Sequence, residues 1–161
     1  MTNYKLVAAE EVRADDKSVD RMLSYFERKT QGARLARRSD VNPSELKDFL
    51  PEICFFSLVY DEEGAVSDAI VRLEGTSATS FYGEFTDQSV RNHPSPEVSE
   101  RILTAARKTV ENRCPFFSEA ASLSEGKDNL MAKALYVPMA EDGIHIDRLF
   151  IYIRLFQQIG L

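Results

Sequence analysis

Arg148 to Phe156 reads RLFIYIRLF, and no other stretch constrains the fold as tightly. Written as an extended chain it sends Leu149, Ile151, Ile153 and Leu155 one way and Phe150, Tyr152 and Phe156 the other, with Arg154 as the single break. A strand that is apolar on both faces has to be covered on both faces. The chain must therefore supply two covering layers, or leave an aromatic stripe that marks an association surface.

Two helices answer that need. Val19, Met22, Leu23 and Phe26 recur at i, i+3, i+4 and i+7, which predicts a helix over residues 17–31 with one apolar stripe. Asp16 or Ser18 suits its start, Gly32 its end, and Asp20, Arg21, Glu27 and Arg28 its outer face. This helix is the candidate cover for one sheet face, in its own subunit or in a partner's. The second begins at Ser95-Pro96-Glu97, a strong helix start. Its stripe is Val98, Ile102, Ala105, Ala106, Thr109 and Val110, small or β-branched residues that allow close approach to a sheet, while Glu97 and Arg101 form an i,i+4 pair. A shorter helix is expected over residues 43–50, with Asn42 as cap, Pro43 in the first position, Glu45 as a capping-box acid, and Pro51 ending it. Residues 1–15 read as a flexible arm in which Tyr4, Leu6 and Val7 add a little packing.

The remaining segments are strands. Cys54–Tyr60 and Ala69–Glu74 read as an antiparallel hairpin, with Val71 and Leu73 on one face of the second strand and Arg72 and Glu74 on the other. FFSEAASL, MAKALYVPM and RLFIYIRLF, separated by SEGKDN and AEDGIHID, form a meander. The order implies an α+β fold, a single domain over residues 16–161: a five-stranded antiparallel sheet with helices on one face and an N-terminal amphipathic helix.

Composition removes several classes of function. A net charge of -6 disfavours a nucleic-acid surface, and the dense basic run Arg34, Arg37, Arg38 reads as a solvated linker. Cys54 and Cys114 stand far apart without a CxxC pair, which suits a reducing compartment. No apolar run reaches the ~20 residues of a membrane span, and the first residues lack a signal peptide's pattern, so a cytoplasmic location is expected. There is no GxSxG, no HExxH and no Gly-rich phosphate loop. His93 and His145 are expected to be exposed, and the scattered cysteines and histidines lack metal-ligand spacing. A non-enzymatic protein is expected. The alternative, a small cone-shaped α+β isomerase, needs an inward Asp or His with a shifted pKa, whereas the strand acids Glu74 and Glu119 are expected to face water.

One stretch stays open on residues alone. VRLEGTSATSFYGEFTDQSV, Val71 to Val90, passes from strand to a short helix carrying Phe81 and Tyr82, stops at Gly83, and continues as a polar run. Phe81 and Tyr82 are either core filler or the wall of a small-molecule cavity.

Three segments in this order resemble the PAS domain, and more narrowly a stand-alone bacterial PAS group long catalogued as a domain of unknown function and common in alphaproteobacteria. They are ARLARRSDVNPSELKDFLPEICFFSLVYDEEG, VRLEGTSATSFYG and LYVPMAEDGIHIDRLF, and the resemblance runs from about Tyr25 to Phe156. It departs at Glu84, where the group often has a basic residue, at Ala36, where it often has Pro, and near Val90, where a second Gly is absent. The resemblance implies a sensory or regulatory module that acts through protein–protein interaction. It implies a pocket between sheet and helices, and the residues watched for it are Cys54, Tyr60, Phe81, Tyr82 and Arg154. An inward Arg154 would take an anionic or carbonyl ligand; otherwise it lies at the surface or pairs with Glu74 or Glu119. Helix packing or dimerisation would fall to Val19, Met22, Leu23, Phe26 and Tyr152. A homodimer and a separate signalling protein are the implied partners, since the sequence carries no kinase, cyclase or DNA-binding segment. No cofactor is assigned: residues 96–112 lack the histidine of haem-binding relatives, and Cys114 in ENRCPFF is not in the flavin-adduct context. A pure scaffold with a filled core is the further alternative.

Overall fold

The computed structural model describes residues 4–121 and 130–157. In chain order these form strand β1 (Tyr4–Ala8), helix α1 (Lys17–Thr30), a 3-10 stretch (Lys47–Glu52), strands β2 (Ile53–Tyr60) and β3 (Val66–Glu74), helices α2 (Thr76–Tyr82) and α3 (Pro96–Asn112), and strands β4 (Phe116–Ala121), β5 (Leu130–Met139) and β6 (Arg148–Gln157). The strands make one antiparallel sheet in the order β1-β4-β5-β6-β2-β3, an α+β architecture. The expected turn over residues 124–129 lies outside the described residues.

The sheet has six strands rather than the expected five. The extra one is β1, drawn from the segment read as a flexible arm, which pairs with β4 from Tyr4 opposite Ala120 to Ala8 opposite Phe116. Short 3-10 turns follow at Ala9–Glu11 and Arg13–Asp15. Arg13 fixes them to α1, donating to Asp20 at 2.7 Å and to Glu27 at 2.6 Å.

β6 lies inside the sheet, and its two faces meet two cores. Phe150 and Tyr152 join Phe55, Leu135 and Val137 beneath Val19, Met22, Leu23 and Phe26 of α1. Phe26 sits edge-on to Phe150 with ring centroids 4.9 Å apart. Leu149, Ile151 and Ile153 join Val71 and Ala134 on the opposite face, beneath Ala78 of α2 and Leu103, Ala105 and Ala106 of α3. The small side chains of α3 let its backbone approach the strands. Asp16 caps α1 by accepting the Ser18 and Val19 amides at 3.0 and 3.1 Å.

Two local expectations are corrected. The 43–50 segment is not an α-helix: Asn42 still accepts the Ser44 amide at 3.0 Å, but the chain turns and then runs as 3-10 through Pro51 to Glu52. Glu45 does not close a capping box; it accepts from the Tyr25 hydroxyl at 2.9 Å and pairs with Lys29 at 2.8 Å. Proline lacks the amide an α-helix needs, and 3-10 geometry tolerates it near a helix end. The second correction is in β3. Phe55 opposes Leu73 while Phe56 opposes Val71, so Arg72 is an extra residue in the ladder. A bulge reverses the alternation beyond it. Leu73 is therefore exposed, and Glu74 shares the α3-side face with Val71 rather than facing water.

Candidate functional site

The candidate site lies between the sheet and the α2–α3 cover. Gly75, which follows β3, stands against the 3-10 stretch: a Cβ there would lie 2.3 Å from the Pro51 carbonyl oxygen. Only glycine allows that approach. The contact sets where α2 begins, and so where Phe81 and Tyr82 fall. Gly83 ends α2 at φ +96°, and the chain then returns along β3, with the Asp87 amide donating to the Val71 carbonyl at 2.6 Å.

Two adjoining cavities result, each of about 40 Å³. That is room for about two or three waters without rearrangement. Tyr82, Ile102 and Tyr136 line both and form the partition. The first holds Cys54, Glu74 and His93 among the rings of Phe56, Tyr82, Phe85 and Tyr136. The second holds Tyr4, Phe81, Arg101 and Ser118 above the alanines of β4 and β5.

Burial pushes the Cys54 thiol up to about 12, so it stands as a neutral thiol rather than a thiolate nucleophile at neutral pH. Burial likewise raises the Tyr82 and Tyr136 phenols and takes Tyr4 up to about 12, so these are uncharged hydroxyls at neutral pH. Glu74 is half-buried, and burial raises its carboxyl; the Phe85 amide, donating to Oε1 at 2.8 Å, pulls it down, and the neighbouring Glu84 raises it further. His93 packs its ring 5.7 Å from Phe85 and 6.2 Å from Tyr82, and its Nδ1 accepts the Ser95 amide at 3.0 Å. Arg101, only 8% exposed, donates to the Ala121 carbonyl at 2.9 Å, pairs with Glu97 at 3.5 Å and lies 5.4 Å from the Tyr4 ring centroid. The Tyr4 hydroxyl donates to the Arg101 carbonyl at 3.1 Å.

The expected site residues divide. Cys54 and Tyr82 line the first cavity, and Phe81 and Tyr82 the second. Tyr60 lies at the far end of β2, its hydroxyl donating to the Ile146 carbonyl. Arg154 lies on the opposite sheet face, where it pairs with Asp16 at 2.6 Å rather than with Glu74 or Glu119. Glu119 pairs instead with Lys133 at 3.5 Å. Val19, Met22, Leu23, Phe26 and Tyr152 pack in one core within this chain, so the α1 stripe is covered in cis. His145 is exposed beside Asp142 at 2.7 Å, whereas His93 is half-buried in a cavity wall.

Sequence reasoning expected Glu74 and His93 to be exposed and did not single out Arg101 or Tyr136, all four of which line these cavities. Arg101 follows Val98 by three residues on the helix and so shares its apolar side, a signal outweighed by its surface pairing with Glu97. Glu74 carried no signal, because only the bulge at Arg72 turns it inward.

No group of three or more His, Cys, Asp or Glu among the described residues could hold a metal ion, and no helix among them is long and apolar enough to cross a membrane. No curated protein and no solved structure matches the chain at the significance applied. The family model of the PAS domain matches residues 14–152, which takes in both helical covers, strands β2 to β5 and the first half of β6. With the sheet order, the Gly75–Pro51 contact and the cavities beneath α2 and α3 in place, this chain belongs to the PAS domain family.

Proposed function

We propose that the protein is a sensory or regulatory module whose signal is a small molecule held between the sheet and the α2–α3 cover, passed to a separate protein through a surface contact. Membership of the PAS family supports the sensory class. The observation that carries the ligand is the pair of adjoining cavities divided by Tyr82, Ile102 and Tyr136. Both combine apolar and aromatic walls with a few fixed polar groups, the composition of small-molecule sites. Rotation of the Tyr82 side chain would join them, and Tyr82 stands at the last residue of α2, where the helix gives way to Gly83.

A homodimer belongs to the same reading only through another surface, because the chain's own sheet covers the α1 stripe. Native mass spectrometry of freshly purified protein tests the ligand. A retained small molecule supports sensing. A clean apo mass, with Tyr82→Ala also failing to admit any fragment, leaves a scaffold with a filled core and overturns the proposal.

A further inference from the structure

We infer that the first cavity takes the ammonium head of a small organic amine, with Glu74 as its counter-ion. The inference rests on the ligand reading above and names the chemistry of that site. Glu74 sits in the cavity wall without an ion pair among the described residues, and the charged side chain acting on it is a second carboxylate, Glu84. A carboxylate partly withdrawn from water is stabilised by a cationic partner. Hydrogen bonds from the Phe85 amide and the Thr79 side chain use part of its accepting capacity and supply no positive charge.

The described residues bring no Lys or Arg to this cavity. Arg101 faces the neighbouring cavity and is engaged there by Ala121, Glu97 and Tyr4. His93 is engaged through Nδ1, which accepts the Ser95 amide at 3.0 Å. The rest of the wall favours positive charge, since Phe56, Tyr82, Phe85 and Tyr136 contribute aromatic rings, and ring faces attract ammonium groups. A carboxylate among aromatic rings, with no Lys or Arg among the described lining residues, selects a cation over an anion. Size sets the rest: about 40 Å³ accepts a primary or methylated ammonium head, while the half-buried Glu74, Phe85 and His93 leave a side open to solvent for any tail.

Three probes of matched size separate the possibilities: propylammonium, 1-propanol and propionate, titrated to millimolar concentrations at constant ionic strength and followed at the Phe85 and Gly75 backbone amides by NMR. Propylammonium is expected to shift both amides saturably, at least tenfold more tightly than 1-propanol, with propionate inert. Glu74→Gln should weaken the amine about tenfold and leave 1-propanol unchanged. Phe85→Leu, which keeps the carboxylate, should weaken the amine severalfold and covers the case in which Glu74→Gln misfolds. If 1-propanol or propionate binds as well as the amine, or if neither variant weakens it, the amine assignment falls while the cavity reading stands. If no probe moves the cavity amides, both fall.

Discussion

Arg154 Nη2 meets Asp16 Oδ2 at 2.6 Å, joining β6 to the carboxylate whose other oxygen caps α1. One side chain thus starts the helix and pins it to the sheet. Both partners are 12% exposed, so the pair works with little solvent screening. Arg154 Nε has no hydrogen-bond partner among the described residues, so the charge is incompletely satisfied.

Removing one partner should therefore cost more than removing both. Asp16→Asn keeps a capping oxygen but strands the guanidinium, and should destabilise by about 3 kcal/mol. Asp16→Asn combined with Arg154→Met should recover part of that loss, as urea denaturation of the full cycle would show. Equal or greater loss in the double variant would mean that the pair itself stabilises.

The same pair should leave a pH signature. Burial opposes ionisation of Asp16, but the Arg154 hydrogen bond, the Val19 amide and the Arg154 charge outweigh it, and the carboxyl is held below its usual value. A depressed folded-state pKa gives stability that is present above about pH 4 and lost as pH falls through the folded value. Asp16→Asn should reduce the acid slope of stability, read by urea midpoints across that range.

Glu74 should show the opposite sign. Burial raises its carboxyl, with Thr79 and the Phe85 amide opposing and Glu84 assisting, while Cys54, Tyr82 and His93 share its cavity. In the window between the unfolded and folded values the folded chain holds the proton and the unfolded chain does not. Stability from this group therefore falls as pH rises through that window. Glu74→Gln should flatten this decline and stabilise the unliganded protein at neutral pH; an unchanged profile would contradict the geometry of the bulge.

Gly75→Ala should be destabilising out of proportion to one methyl group. Its Cβ would meet backbone atoms of Leu50 and Pro51 rather than a yielding side chain. A loss of about 2 kcal/mol or more is expected, with shifts in the amides of α2 and of Leu50 to Glu52. Thermal unfolding and NMR together would detect it.

Phe26→Ala should cost about 3–5 kcal/mol, because the ring is enclosed by Tyr25 and Phe150 in the α1-side core. Since that burial lies within one chain, sedimentation of the folded variant should match the wild type. A shift toward smaller species without loss of stability would relocate the α1 stripe to an interface between molecules.

Much of the fold was legible because it follows from periodicity. The two-faced pattern of Arg148–Phe156 demands the two covers that α1 and α3 provide. What escaped depends on partners distant in sequence. β1 is five residues long with no buried member, so only pairing with β4 defines it. The 43–50 segment carries sound helix-start residues, yet Pro51 and the approach of Gly75 favour 3-10. In the cavities, aromatic Tyr82 was readable from its place on α2, whereas Glu74 depends on the bulge at Arg72 and Arg101 on the strand carbonyl of Ala121.

The margins of the sheet are unlike. At β3 the outward carbonyls of Val66 and Ser67 are taken by Arg107 and Arg91, and Ile70 is bridged to Ser89. At β1 the ladder stops: Tyr4–Ala8 pairs on one side alone among the described residues, with Lys5 as its exposed charge. A sheet sealed at one margin and open at the other can accept one added strand but cannot pass the addition on. Edge-to-edge growth from this molecule would therefore end at two copies, a built-in brake on filament formation.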